Sequence, residues 1–130
     1  MIVVDSSAVV VALTTLEGID DLRATLSEEE LNAPTLLDFE VVSALRGLTL
    51  GGHLTAARGL DALTDYDDLE VLRWQSAPAL RRRAFQLRAN LSAYDAAYAA
   101  LAEALECPLA TRDSRLARAC EKRVEVWLFR

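Results

Sequence analysis

The sequence predicts an α/β protein built on a central, mostly parallel sheet of about five short strands. Two observations predict this class. Short apolar or alternating segments recur along the 130 residues, and each is followed by segments with helical periodicity or a helix cap. This alternation favours parallel strands covered by helices on both faces. No linker, repeat or low-complexity segment interrupts it, so we expect a single domain over residues 1–130.

The first half of the chain predicts two strands and four helices. The apolar segment IVVD at 2–5 is typical of a buried strand, and SSAVVVALTT after it starts with a capping residue and predicts a helix. A second helix follows over 17–29, and LNAP at 31–34 predicts a very short strand. The helix predicted from Thr35 ends at two consecutive glycines, and LTAARGLDALTDY predicts one more helix.

The second half repeats the pattern. LEVLRW at 69–74 alternates like a strand, and a proline opens the helix that follows it. Ser92 starts the helix SAYDAAYAALAEALE, and PLAT at 108–111 predicts a strand. DSRLARACEKR predicts the last helix, and VEVWLF at 124–129 predicts the last strand.

Composition excludes several classes of site. With two separated cysteines and one histidine, the chain offers no spacing typical of structural zinc and few ways to build a nucleophilic triad. No apolar run has transmembrane length, and the start lacks the basic and apolar regions of a signal peptide, so we expect a cytoplasmic protein. The net charge is −6, but basic patches in the second half leave room for a polyanionic partner.

Two acids follow predicted strands. Asp5 ends the first strand, and Asp113 comes just after PLAT. Ligands of parallel sheets bind outside the carboxyl ends of the strands. Each of these aspartates could also simply cap the helix that follows it, and the two explanations remain open at this point.

Two further aspartates fit a helix start. Asp95 lies three residues after Ser92, and Asp38 lies three residues after Thr35, which is the spacing of a capping box. For Asp38 we interpret this spacing as a cap. For Asp95 the cap explains only part of the pattern, because the residue borders an apolar stripe and is surrounded by alanines.

Glu40 is not explained by capping. It lies beyond the first turn of its helix and between Leu37 and Ala44 on the apolar side. No Lys or Arg stands three or four residues away, and an unpaired buried carboxylate is costly. We therefore predict that Asp5, Glu40, Asp95 and Asp113 converge on a divalent cation. Hard oxygen ligands without His or Cys favour Mg²⁺ or Mn²⁺.

The acids and their surroundings resemble a known family. IVVDSSAVV, the glutamate of APTLLDFEVVSAL, the aspartate of LSAYDAAYAALAEAL, and LATRDSRLARAC followed by VEVWLF resemble the motifs of a PIN-domain ribonuclease. In length and motif style the chain is similar to a VapC-type toxin of a type II toxin–antitoxin system. The resemblance covers essentially the whole chain.

The resemblance implies a three-layer α/β/α fold and cleavage of RNA by water activated by Mg²⁺ or Mn²⁺. It implies that Asp5, Asp95 and Asp113 hold the metal and that Glu40 orients or deprotonates water or binds a second ion. Ser6 and Thr111 match hydroxyl positions that support the site, and either could instead be a cap. Some members carry another acid soon after the fourth, where this chain has Ser114 and Arg115.

The resemblance also implies partners. They are an RNA substrate, a cognate VapB-like antitoxin and a second copy of the chain in a homodimer, with no membrane. Arg112 and Arg115 flank Asp113 and are candidates for RNA contacts, although a solvated helix face explains such arginines equally well. Three alternatives stay open at this point: a PIN-like nuclease of RNA maturation or DNA processing, a non-catalytic binding module whose acids are caps, and a phosphatase or response-regulator-like domain that binds Mg²⁺.

Overall fold

A computed structural model describes all residues, Met1–Arg130. It contains five strands and seven helices that alternate as the sequence predicts. In chain order they are β1 (Ile2–Val4), α1 (Ser6–Thr14), α2 (Asp20–Glu28), β2 (Leu31–Pro34), α3 (Leu37–Leu50), α4 (Ala56–Asp68), β3 (Val71–Trp74), α5 (Pro78–Gln86), α6 (Ala93–Leu105), β4 (Leu109–Thr111), α7 (Ser114–Cys120) and β5 (Val126–Leu128).

The strands form one sheet in the order β3-β2-β1-β4-β5, and every neighbouring pair is parallel. The chain first builds outward from β1 through β2 to β3, then crosses back and places β4 on the free edge of β1. The direction of winding therefore reverses between β1 and β4. In sheets of this kind, the crevice at the carboxyl ends of two such strands is where ligands bind.

The helices form the outer layers of an α/β/α arrangement. α1, α2, α3 and α4 pack among themselves, whereas α5 packs on α6, α6 lies against β1, β2 and β4, and α7 lies against β4 and β5. Right-handed crossovers put these two groups of helices on opposite faces of the sheet. The predicted three-layer fold is thus confirmed, and the sheet is entirely parallel rather than mostly so.

The core lies where the central strands meet the helices. Ile2, Val3 and Val4 are completely buried, as a strand covered on both faces must be. On α6 the buried alanines Ala96 and Ala99 let the helix approach the sheet closely. No helix in the chain combines the length and apolar character needed to cross a membrane.

One predicted cap is wrong. Leu36 precedes the first turn of α3 and no side chain caps that helix, so Thr35 does not have the capping role expected of it. Asp38 instead accepts hydrogen bonds from Tyr66 Oη and Arg73 Nε, both at 2.7 Å. The carboxylate finds two strong donors on neighbouring elements and is used to join α3, α4 and β3.

Candidate active site

Asp5 lies at the carboxyl end of β1 and is almost completely buried, with 5 % of its surface exposed. It caps α1, because its Oδ1 accepts a hydrogen bond from the backbone N–H of Ala8 at 3.1 Å. The same oxygen accepts from Ser7 Oγ at 2.7 Å, and Oδ2 accepts from Thr111 Oγ1 at 2.6 Å. These bonds fix the carboxylate in one orientation. Oδ1 accepts two of them and Oδ2 only one, so Oδ2 keeps acceptor capacity for another ligand.

Thr111 joins the two central strand ends. It is the last residue of β4 and fully buried, and besides donating to Asp5 its hydroxyl accepts from the backbone N–H of Asp113 at 2.9 Å. Asp5 and Asp113 are therefore held by the same hydroxyl group. The resemblance implied such hydrogen bonding for Thr111, and the hydroxyl makes these bonds rather than capping a helix.

Ser7, rather than Ser6, supplies the second hydroxyl. Ser7 Oγ donates to Asp5 and accepts from the backbone N–H of Arg112 at 2.9 Å, which ties the start of α1 to the end of β4. The hydroxyl of Ser6 makes no such bond. The sequence pointed to Ser6 because it follows Asp5 directly, but helix geometry turns the next residue back towards the capping carboxylate.

Asp113 caps α7 with one oxygen and leaves the other available. Its Oδ1 accepts from the backbone N–H groups of Arg115 and Leu116 at 2.9 and 3.1 Å. Its Oδ2 faces the Arg115 guanidinium at 3.5 Å. The two explanations left open by the sequence, cap and site residue, are therefore compatible in the same side chain.

Asp95 reaches the same region from α6. Ser92 caps that helix by accepting from the Asp95 backbone N–H at 3.2 Å, so the predicted cap exists. The Asp95 carboxylate takes no part in it. Its Oδ2 accepts from Arg115 Nη2 at 2.9 Å, which links Asp95 and Asp113 through one guanidinium.

Glu40 comes from the opposite face of the sheet and has a partner that the sequence did not identify. Its Oε1 accepts from Tyr98 Oη at 2.5 Å, although the two residues lie on different helices. Tyr98 is almost fully buried on α6, one turn after Asp95. That spacing puts Tyr98 and Asp95 on the same side of α6, and it is the signal from which the pairing could have been inferred.

The four carboxylates influence one another electrostatically. Burial raises the pKa of Asp5 even though its three hydrogen bonds favour the ionised form, and the charge of Asp113 raises it further. Burial also raises the pKa of Glu40; the hydrogen bond from Tyr98 opposes this shift, while the charges of Asp95 and Asp5 add to it. Such mutual repulsion between like charges is relieved when a cation binds among them.

The donor set suits a hard divalent cation. Every candidate ligand is a carboxylate oxygen, which Mg²⁺ and Mn²⁺ prefer. In the observed conformation, however, no group of three or more His, Cys, Asp or Glu side chains is arranged to hold an ion. Arg115 stands between two of the acids. An ion held by both of these acids would take the place of the guanidinium, and Mg²⁺ usually keeps several water ligands.

The two arginines that flank Asp113 have different surroundings. Arg115 contacts the acids, as described above. Arg112 lines a cavity of about 600 Å³ that is formed with the start of α2 and the end of the chain and includes none of the four acids. Its Nε is buried without a hydrogen-bond partner. The structure thus places only Arg115 directly beside the acidic cleft.

The chain is similar in sequence to a known protein family. The family model described as the PIN domain matches residues 2–122. The chain is 47% identical over 116 residues to Ribonuclease VapC9 of Mycobacterium tuberculosis, a match that covers 89% of this chain and 88% of that protein. It is 43% identical over 130 residues to Ribonuclease VapC1 of the same organism, covering 98% of this chain and 97% of the relative.

The fold has been seen before. VapBC2 from Rickettsia felis, solved bound to a DNA fragment from its promoter, superposes with a TM-score of 0.72 at 12% identity, and the match covers 100% of both chains. At this identity the likeness concerns the fold alone. Together with the sequence matches and the acids gathered at the carboxyl ends of β1 and β4, it leads to one assignment: the chain belongs to the PIN-domain family and, within it, to the VapC ribonucleases.

Proposed function

We propose that this protein is a metal-dependent endoribonuclease toxin that hydrolyses RNA phosphodiester bonds at the cleft formed by Asp5, Glu40, Asp95 and Asp113. The observation that carries the proposal is the chain of hydrogen bonds that links these acids at the switch point of the sheet: Thr111 bonds Asp5 and the backbone of Asp113, Arg115 joins Asp113 to Asp95, and Tyr98, one turn after Asp95, bonds Glu40. Membership of the VapC ribonucleases supports the reaction class.

In this proposal Asp5, Asp95 and Asp113 hold Mg²⁺ or Mn²⁺. A bound ion of this type supplies stabilisation of the negative charge that develops on the phosphodiester and helps to activate water. Ser7 and Thr111 orient Asp5 through the hydrogen bonds described above, so that the carboxylate meets the ion without rearranging.

Glu40 has a separate task in the proposal. Its Oε1 is held by Tyr98, while Oε2 accepts no hydrogen bond and is free to orient or deprotonate the attacking water. Burial and the bond to Glu40 raise the pKa of the Tyr98 hydroxyl well above its usual value, so Tyr98 remains a donor throughout the neutral range. One oxygen of Glu40 is thus fixed and the other is left for chemistry.

A VapB-like antitoxin and a second copy of the chain complete the proposed assembly, which we place in the cytoplasm. α3 offers an apolar surface beside the cleft, since Phe39 is 78% exposed and Val42 is 41% exposed. In this proposal the antitoxin binds the exposed apolar side chains of α3, the helix that carries Glu40, and blocks access to the acids. A purified complex in which all four acids stay open to substrate would contradict inhibition by direct blocking.

The test of the reaction compares wild type with Asp5→Asn on a defined RNA in Mg²⁺ or Mn²⁺. Asparagine keeps the size of the side chain; its Oδ1 can still accept from the Ala8 N–H, and its amide N–H can donate to the Thr111 hydroxyl. We therefore expect a folded protein with cleavage reduced by at least about 100-fold. Sequencing the RNA ends would identify the cleavage site. Asp61→Asn, an exposed acid on α4 without a partner, is the matched control and should cleave normally. Undiminished cleavage by Asp5→Asn in the presence of EDTA would refute the proposal.

A further inference from the structure

Arg115 occupies the position of a cation between two acids of the candidate site. Its Nη2 lies 2.9 Å from Asp95 Oδ2 and 3.5 Å from Asp113 Oδ2. Asp95 belongs to α6 and Asp113 precedes α7, so the guanidinium joins two elements that enter the cleft from different points of the chain. No other basic side chain forms an ion pair with any of the four acids.

The ion pair between Arg115 and the acids is easily broken. The Arg115 side chain is 63% exposed, whereas those of Asp95 and Asp113 are 23% and 35% exposed. Ion pairs with so much access to water are weak, because solvent screens them and the long side chain loses freedom in forming them. A divalent ion carries twice the charge and can bind both carboxylates at once, so it competes well for these oxygens.

The position of Arg115 limits where it can go. It is the second residue of α7, and its backbone N–H donates to Asp113 Oδ1 at 2.9 Å, so its stem stays at the rim of the cleft when the guanidinium leaves the acids. An RNA phosphate that is being hydrolysed must lie at the same rim, next to the ion. The planar guanidinium is suited to donate two hydrogen bonds to a phosphate group.

We propose that Arg115 is an exchangeable internal counter-ion. Without metal it neutralises Asp95 and Asp113; when the divalent ion binds, Arg115 leaves these carboxylates and binds the phosphate of the RNA. The contact with the RNA phosphate rests on the proposed function, whereas the exchange of Arg115 for a metal ion concerns metal binding alone. Arg115 acts as a positioning residue for the acids in one state and as a phosphate ligand in the other.

The test measures Mn²⁺ binding directly, by calorimetry or by the electron paramagnetic resonance signal of the free ion, on wild type and Arg115→Ala. Removal of a competing ion pair of this kind should tighten Mn²⁺ binding by about three- to five-fold. On RNA at saturating Mn²⁺, the same variant should raise KM by about ten-fold, with a smaller change in kcat. Arg115→Lys keeps the charge without the planar fork and should recover metal competition better than RNA binding.

Arg118→Ala is the matched control, since Arg118 is an exposed arginine one turn further along α7 and forms no ion pair. It should change neither the Mn²⁺ affinity nor KM. Unchanged or weaker Mn²⁺ binding by Arg115→Ala would overturn the exchange, and an unchanged KM would overturn the phosphate contact. If wild type binds Mn²⁺ but does not cleave RNA, the proposed function fails while the Mn²⁺ comparison still decides the exchange. If wild type binds no Mn²⁺, both are wrong.

Discussion

Hydrogen bonds from neighbouring residues orient the acids of the cleft, and the bond from Tyr98 to Glu40 is the clearest example. Tyr98→Phe removes only the hydroxyl and leaves the half-buried Glu40 carboxylate without its donor. Loss of one partner of a buried charge-assisted bond should lower the free energy of unfolding by about 1–3 kcal/mol. It should also raise the pKa of Glu40 further, because the bond that favours the ionised form is gone. Chemical denaturation at neutral pH measures the first effect, and RNA cleavage measures the consequence for activity.

Tyr94→Phe provides the control for this prediction. Tyr94 lies one turn earlier on α6, is 68% exposed, and its hydroxyl has no hydrogen-bond partner. The stability of this variant should match wild type. Equal stability losses in the two variants would show that the Tyr98 hydroxyl does not support Glu40 specifically.

At this scale the sequence predicts that Glu40 needs a partner from elsewhere in the fold, but it does not identify the partner; the roles of the four acids stay a prediction. The placement of Glu40 on an apolar stripe correctly required a partner from elsewhere in the fold, but Tyr98 is 58 residues away in the chain. Asp38 shows the converse. Its spacing from Thr35 fits a cap, yet its carboxylate binds two donors from other elements and no side chain caps the helix. The spacing around Glu40 and Asp38 themselves does not reveal these donors, since which distant residue reaches them depends on tertiary packing; the position of Tyr98 one turn after Asp95 is the one indirect signal.

The connection between elements is best seen in the bonds that Asp38 makes. The carboxylate on α3 binds Tyr66 of α4 and Arg73 of β3, and the Arg73 guanidinium also lies over the Tyr66 ring at 5.2 Å from its centre. Burial alone would raise the pKa of Asp38, but the bonds from Tyr66 and Arg73 outweigh it and lower the pKa below the usual value. Folding therefore favours ionised Asp38.

The lowered pKa of Asp38 determines how the stability of the protein depends on pH. Since the pKa is lower in the folded state, the stabilisation is complete at pH values above the unfolded pKa of about 4 and disappears as pH falls through the folded pKa. The Asp38 side chain is 41% exposed, so screening by solvent limits the contribution to at most about 1 kcal/mol. Urea unfolding of Asp38→Asn should show a deficit against wild type at pH 7 that shrinks below about pH 4. Asp61→Asn should show no deficit, and a deficit for Asp38→Asn that grows on acidification would contradict the assignment.

α5 concentrates positive charge in an acidic protein. Residues 71–94 contain five arginines and no acid, although the net charge of the chain is −6, and this stretch ends directly before Asp95. Arg82 on α5 is exposed and forms no ion pair, and Arg88 lies over the exposed ring of Phe85 at 4.5 Å from its centre. Arginines beside an exposed aromatic ring suit the backbone and bases of single-stranded RNA.

Charge reversal on this helix should therefore act on binding. We expect Arg82→Glu to raise KM for RNA several-fold, leave kcat nearly unchanged, and make the logarithmic salt slope shallower by about 0.7 for each phosphate that the variant no longer neutralises. Arg58→Glu on the acid-rich helix α4 reverses the same charge at an exposed arginine without an ion pair and serves as the control. Steady-state kinetics at several salt concentrations would compare the KM and the salt slope of the two variants. Equal effects of both variants would exclude a specific role for α5.

The elements themselves were largely predictable, and their order in the sheet was not. Apolar runs and caps located all five strands and the helices between them to within a few residues. The position of β4 beside β1 has no local signal, because strand order depends on how the crossovers wind. The convergence of Asp5 and Asp113 followed from the general rule for strand ends, whereas the shared hydroxyl of Thr111 required the actual pairing of β1 with β4.

In the molecule as a whole, the cleft is the place where negatively charged side chains repel one another in the folded state. The four carboxylates come from elements that meet at the carboxyl end of the sheet. Arg115 is the only basic side chain that forms an ion pair with any of them. A protein arranged in this way gains stability when a cation binds to the folded state and not to the unfolded chain. Stability measured with and without the ion therefore reports on the site without requiring a substrate.

Thermal unfolding in the presence of Mg²⁺ or Mn²⁺ tests this coupling. An ion at ten times its Kd adds about 1.4 kcal/mol to the free energy of unfolding, provided that it binds only the folded state. For a chain of 130 residues this corresponds to a rise in Tm of roughly 4–7 °C. EDTA should reverse the rise, and the double variant Asp5→Asn with Asp95→Asn should not show it, because two of the proposed ligands lose their charge. The matched double variant Asp61→Asn with Asp65→Asn, which removes two exposed acids of α4, should retain the full rise. Equal shifts in both double variants would mean that the ion binds the acidic surface in general, since the cleft is then no better a site than the rest of the protein.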